Sequence, residues 1–370
     1  MNAPLLNDKD MPAWLRAPIP LQPNNFTPLT RTPWGGTVIA SHYKRDYAPV
    51  GAVIGEAWEF SCDPAFPSRL QGHNLTLLDA VQKWPEAILS PALAQSGATC
   101  EILVKLLDAA EPLSLQVHPR DGDQNLQVGE CGKPESWLVL KAAPGAGIYL
   151  GFSRQVSRTE LREALIRGDT AKDLLHFVSV KPGDYFEIQP GVPHAIGGGV
   201  TLLEPQRILT GQAGKTYRMW DWGRLYDKDG RLDMEHGAAR PLHVDESLPL
   251  VDPEQQVGEA FVGTLRREPT VVNLAGGISI REFPANPYYK TALAVVPAGA
   301  ELNVRLDHGY CAMLTLEGQV TANQVPLGQG QTALVPYVAS PLNIVSTARS
   351  EIALVAPSQA ALHFTSRSAR

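Results

Sequence analysis

Apolar residues along this chain come in short runs, each closed by glycine or proline. GTVIASHY (36–43), AWEFSC (57–62), CEILVKLLDA (100–109), SLQVH (114–118), SWLVLKAA (136–143), DYFEIQP (184–190), VTLLEPQ (200–206) and ALAVVP (292–297) are examples. Runs of this length, rich in Val, Ile, Phe and Tyr and bounded by turn residues, predict strands of a sandwich or barrel. Two stretches carry a helical pattern instead. TLLDAVQKWPEAILS, with Asp79 three residues after Thr76, predicts helix until its prolines intervene. SRTELREALIRGDTAKDLLHFV opens with Ser157-x-x-Glu160, a capping-box pattern, and Leu161, Ala164 and Leu165 follow at helical spacing. It predicts two short helices broken near Gly168–Asp169. The expected fold is therefore mainly β, with helical insertions near 76–95 and 157–177.

The acidic, proline-bearing stretch HVDESLPLVDPEQQ (243–256) reads as a connector. It divides a first domain, about 20–240, from a second and smaller β domain, 258–370. The second contains only His308 and His363, with no clustered acid beside them in the sequence.

Composition narrows the field. The chain has 370 residues, 44% hydrophobic and 19% charged, with 32 Gly and 31 Pro, enough for two domains with real cores. Net charge is −6 and there is no long basic run, which disfavours a nucleic-acid or anionic-membrane partner. No apolar run approaches the roughly 18 residues of a membrane span. The N-terminal segment lacks the basic-then-apolar pattern of a secretory signal. Cys62, Cys100, Cys131 and Cys311 are scattered and form no CxxC pair, which argues against a thiolate zinc site or a disulfide framework and for the cytoplasm.

The candidate chemistry lies between Leu103 and Arg224. In LQVHPRDGDQ, Gln116 and His118 are two apart on a strand and so share a face. Such a pair suits a core, a polar network or two ligands of one metal. Glu135 starts the next strand, sharing a face with Trp137 and Val139. His194 follows the Pro190–Gly191 turn, and Gly197, Gly198 and Gly199 would let backbone lie close to a ligand. Two imidazoles, a carboxylate and an amide suit zinc, iron, cobalt or nickel, and the lack of thiolate fits an open catalytic site. The tryptophans at 34, 58, 137, 220 and 222 read as core residues before sugar-stacking ones.

The order Gln-x-His, Glu, then a glycine-punctuated PG-x-x-His resembles the cupin superfamily. More narrowly, LVKLLDAAEPLSLQVHPRD, GKPESWLVL and PHAIGGG resemble type I phosphomannose isomerases, and TPWGG, IGEAWEF and TYRMWDWGR agree in order and spacing. The resemblance covers roughly residues 25–230 and is architectural beyond about 260. It implies a cupin jelly-roll, barrel or sandwich, followed by a cupin-like β domain without metal ligands. It implies one zinc per chain on Gln116, His118, Glu135 and His194, Arg218 at the active site, and Lys133 and Lys105 lining the substrate pocket. From the residue types, Arg218 and Lys133 are read as catalytic, and Lys105 and Glu204 as substrate-binding. The implied reaction interconverts mannose 6-phosphate and fructose 6-phosphate through a cis-enediol(ate), in a cytoplasmic monomer or homodimer. For the proton-transfer base, Lys133 (if the nearby metal lowers its pKa), Glu204 and Asp221 remain open. Pro134 replaces the family's usual Thr. The run EPQRILTGQAGKTYR, carrying Arg207 and Lys215, is longer than the family's and leaves sugar selectivity open. Competing readings are an isomerase of another sugar or sugar phosphate, an Fe(II) cupin dioxygenase, and a non-enzymatic sugar-phosphate binder.

Overall fold

A computed structural model describes residues 11–168 and 170–366. The chain forms two compact units. One takes in Phe26–Ala57 and Lys105–Arg267. The other takes in the chain up to Asn25, Trp58–Val104 and the chain from Glu268.

The first of these carries the motifs. Its architecture rests on ten strands: β1 (Glu56–Phe60), β2 (Ile102–Ala109), β3 (Leu115–Val117), β4 (Glu135–Ala142), β5 (Gly147–Phe152), β6 (Leu175–Ser179), β7 (Tyr185–Ile188), β8 (His194–Ile196), β9 (Val200–Arg207) and β10 (Tyr217–Trp220). The chain passes between the two units inside β1 and again inside β2. One sheet runs β10-β3-β8-β5-β6 and the other β1-β2-β9-β4-β7. Trp137, Val139, Ile148, Leu150, Ile196 and Leu202, drawn from both sheets, form one buried apolar cluster. The result is a sandwich of antiparallel sheets and not a closed barrel. β2 and β9 are buried along nearly their whole length, which is why they read as continuous apolar runs without alternation.

The second unit repeats the plan. A seven-stranded and a five-stranded sheet enclose a core that includes Ile280, Leu302, Met313, Leu327, Ile344 and Leu354. The 76–95 helical segment belongs to this unit, as three short helices: α1 (Leu77–Lys83), α2 (Pro85–Leu89) and α3 (Pro91–Gln95). Thr76 and Asp79 form a full capping box on α1. Pro85 and Pro91 each stand at the start of the next helix, where a missing N–H costs nothing. His363 bonds Asp307 at 2.6 Å, so this unit does set an acid beside a histidine, on an exposed surface. The two lie far apart in sequence and meet across paired strands.

Two expectations fail locally. GTVIASHY is not a strand: Ile39–Tyr43 make a π-helical turn, closed by Lys44 N–H to Ile39 O at 2.7 Å. Asp108 accepts from Val38 N–H at 2.6 Å and so caps it, a long-range bond that overrides the β-branched local pattern. In the 157–178 segment, helix α4 covers Arg158–Arg167 and ends at Gly168 in the left-handed conformation, φ 78°. Asp169 lies outside the described residues. Beyond it comes only a 3-10 turn, Ala171–Leu174, and Leu175 already belongs to β6, held by pairing with β5. The Ser157 hydroxyl caps Glu160 N–H as predicted, but the Glu160 carboxylate is taken by Arg154. Among the described residues no helix is long and apolar enough to cross a membrane.

Candidate metal centre

The two sheets bring their polar residues together at one place. Gln116 in β3 lies directly opposite His194 in β8 and opposite Arg218 in β10, so the three share one face. His118 follows β3 by one residue, on the same face as Gln116. From the facing sheet, Glu135 starts β4 and lies opposite Gln206 of β9. The Pro190–Gly191 turn fixes the approach to β8: Gly191 adopts φ 89° and its N–H bonds His118 O at 2.9 Å.

His118, Glu135 and His194 present ligand atoms that all lie within 4.8 Å of one another, and all three are buried. His118 Nε2 is 3.1 Å from Glu135 Oε2, and His194 Nε2 is 3.3 Å from Glu135 Oε1. The other ring nitrogens settle the tautomers. His118 Nδ1–H donates to Lys215 O at 3.1 Å and His194 Nδ1–H donates to Val192 O at 2.8 Å. Both rings are held neutral. Burial, then the Lys133 charge, pushes His118 down to about 3, and burial lowers His194. Each Nε2 therefore points a lone pair at a carboxylate oxygen. Neither Nε2, nor Glu135 Oε1, has a hydrogen-bond partner, though all are buried. Lone pair facing lone pair in a dry interior is costly unless a cation stands between them. The donor set, two imidazoles fixed by backbone carbonyls and one carboxylate, fits a borderline divalent metal.

Around this set lies a buried charge network. Lys133 Nζ is 3.1 Å from Glu135 Oε2. Burial opposes its charge, but Glu135, Glu204 and Glu56 outweigh burial and hold Lys133 above its usual range. Three carboxylates surround Lys133 and favour its charged form. Lys105 lies 3.7 Å from Glu56 and 3.9 Å from Glu204, and burial lowers it. Glu204 is pushed up to about 8, first by burial and then by the Glu135 charge. Its Oε1 accepts from Trp137 Nε1–H at 3.0 Å, and Trp137 in turn packs edge-on against the His194 ring. Gln206 Nε2 donates to Glu135 Oε2 at 2.8 Å and to Glu204 Oε2 at 2.6 Å.

The structure thus gathers Lys105, Lys133, Glu204, His118, Glu135 and His194 into contact, with Gln116 beside them by register. Arg218 is one strand farther out. Its guanidinium donates to Pro241 O at 2.9 Å, and its Nε is buried without a partner. Burial, and then Arg240, lowers its pKa. Asp221 is engaged by Arg240 at 2.7 Å and by Arg224 at 2.9 Å, which removes it as a free base. Arg207 and Lys215 pair with Asp121 at 2.6 Å and Glu130 at 2.8 Å, tying the 205–215 segment to the loop after His118. Gly197 and Gly198 lie against the protein's own backbone: a Cβ on Gly197 would meet Gly147 O at 2.3 Å, and one on Gly198 would meet Ala110 O at 2.9 Å. Trp34, Trp58, Trp137 and Trp220 are buried. Gln206 and Glu56 are the additions that sequence reasoning passed over. Their signal was present, since Glu204 and Gln206 stand two apart on an otherwise apolar strand.

The chain is similar to known mannose-6-phosphate isomerases in sequence and in fold. Residues 27–133 match the catalytic domain of phosphomannose isomerase type I. Mannose-6-phosphate isomerase ManA of Bacillus subtilis is 33% identical over 221 residues, 59% of this chain and 64% of that protein's length. The mannose-6-phosphate isomerase of Streptococcus mutans is 26% identical over 307 residues, 82% of this chain and 88% of that protein. The crystal structure of the Bacillus subtilis mannose 6-phosphate isomerase superposes with a TM-score of 0.73 at 25% identity, covering 92% of this chain and 99% of that one. The chain is thus similar to type I phosphomannose isomerases, by the family model over residues 27–133, and its match to ManA spans 64% of that protein's length.

Proposed function

We propose that this chain is a metal-dependent aldose–ketose isomerase that interconverts mannose 6-phosphate and fructose 6-phosphate. One zinc per chain would be held by Gln116, His118, Glu135 and His194. The observation that carries this reading is the pair of neutral imidazoles aimed, with no hydrogen between, at the two oxygens of Glu135. When bound, zinc supplies Lewis-acid polarisation of the sugar oxygens.

The chain's own residues do the rest. Moving a proton between C1 and C2 needs a group that gives and takes one near neutral pH. Glu204, with its pKa raised to about 8, is our choice for that carrier, and Trp137 and Gln206 hold its two oxygens. Lys133, kept protonated by its carboxylate neighbours, offsets the negative charge that develops on the enediol(ate). Arg218 adds a second cation on the Gln116 face. Lys105, whose charge is already shared by Glu56 and Glu204, is assigned with Glu204 to the substrate. A sugar-phosphate substrate suits the cytoplasm, as a monomer or homodimer.

One other reading has an observation behind it. Two histidines and one carboxylate are also the set used by Fe(II) oxygenases. A coupled assay of fructose 6-phosphate formation from mannose 6-phosphate, run beside oxygen uptake on iron-loaded protein, separates them. Turnover of the sugar phosphate without oxygen uptake is expected. Oxygen uptake without isomerisation would move the site to the oxygenase class.

A further inference from the structure

Gln206 is fully buried in β9, directly across from Glu135 in β4. Both hydrogens of its amide are used. One goes to Glu135 Oε2 at 2.8 Å and the other to Glu204 Oε2 at 2.6 Å. Glu135, ion-paired with Lys133 at 3.1 Å, fixes which way the amide faces, because a flipped amide would set its oxygen against that carboxylate. The consequence is that Gln206 Oε1 faces elsewhere, buried and without a donor. An interior that only needed filling would take a Leu or Met here and avoid the orphaned oxygen. The orphan is retained for the sake of the two bonds on the other side of the amide.

Those bonds have different owners. Glu135 sits between the two histidine Nε2 atoms, so its rotation decides whether both of its oxygens face them. Lys133 also reaches Oε2, but as a single flexible point charge. A planar amide anchored in a sheet is the more restrictive partner. Glu204 has a second anchor in Trp137, whereas Glu135 has no comparable neutral donor among the described residues.

Resting on the metal reading above, we propose that Gln206 is a positioning residue that sets the rotation of Glu135 and thereby the affinity of the centre for its metal, while linking that ligand to Glu204. Outer partners of this kind are worth roughly 10- to 100-fold in metal affinity.

The test is the zinc dissociation constant of the full chain, stripped of metal and titrated against a chromogenic chelator. The parent is compared with Gln206→Met, which keeps the volume and removes the donors, and with Trp137→Phe, which removes the donor to Glu204 while keeping an aromatic ring beside His194. Gln206→Met should bind zinc about 10- to 100-fold more weakly, and Trp137→Phe should stay within about twofold of the parent. Gln206→Asn, too short to span both carboxylates, carries the same expectation if the methionine variant does not fold. Zinc affinity within about twofold of the parent in Gln206→Met, or in Gln206→Asn where that variant stands in, would overturn the inference. So would an equal loss in Trp137→Phe, since that would mark a general packing effect. A parent protein that binds no zinc would overturn the metal reading itself and this inference with it.

Discussion

The two units are built on the same plan and spend their interiors differently. In the second unit the space between the sheets is apolar, with Ile280, Met313, Leu327 and Leu354 meeting face to face. In the first, one part of the interior is equally apolar, but beside it Lys105, Lys133, Glu135, His118, His194 and Glu204 are all buried together. Burying that many ionisable groups is unfavourable unless each is paired, and any left over must be satisfied by something bound. What remains over is specific: two imidazole nitrogens and one carboxylate oxygen. A sandwich therefore does not imply a site. The site exists where strand ends carry polar residues inward at matching registers.

Substitutions can break this contrast. The largest effect is expected at a ligand. His194→Ala should weaken zinc binding by more than ~100-fold, beyond the range of outer partners, while the far-ultraviolet spectrum stays that of a β protein. Chelator competition reads the first and circular dichroism the second. Retention of parental zinc affinity would remove His194 from the ligand set.

A core substitution in the second unit should do the reverse. Leu354 is fully buried there, and Leu354→Ala should cost about 2–5 kcal/mol in urea denaturation. The zinc constant, measured where the variant is folded, should be unchanged.

The third test uses pH. Glu204 has a folded pKa raised to about 8 from an ordinary 4.5, so folding favours its neutral form. Its contribution to stability is fully present below about 4.5 and is lost as pH rises toward and through about 8. Metal-free parent protein should therefore lose stability over that window more steeply than Glu204→Gln, which cannot ionise. Thermal melts at several pH values in the window make the comparison, and parallel slopes would contradict the assignment.

The smallest effect is expected far from the centre. Thr76→Ala removes the hydroxyl that caps α1 and should cost about 1 kcal/mol, with zinc affinity untouched.

The contrast also explains what could be read from the chain. Gln116 and His118 were legible because the period of a strand puts them on one face. Glu135 and His194 were legible from their order and from the turn at Pro190–Gly191. The helices at 76–95 were legible from Thr76, Asp79 and two prolines, which act locally. What escaped depends on partners remote in sequence. The turn at 39–43 is held by Asp108, which no local window contains. Lys105 and Lys133, read as residues of the substrate pocket, are also partners of Glu56, Glu135 and Glu204, and the loop cations Arg207 and Lys215 pair with Asp121 and Glu130. Residue type alone does not say which carboxylate a buried cation will meet. Gln206 was missed because an amide in an apolar strand reads as an exception until its two carboxylates are seen.

The central claim is that the His118–Glu135–His194 set, with Gln116, holds a catalytic zinc for sugar-phosphate isomerisation. Metal-free protein titrated with zinc, with mannose 6-phosphate turnover followed at each addition, tests it most directly. Activity should begin near zero, rise in proportion to zinc and level off at one equivalent per chain. Full activity without metal, or one tightly bound zinc with no turnover, would contradict the account.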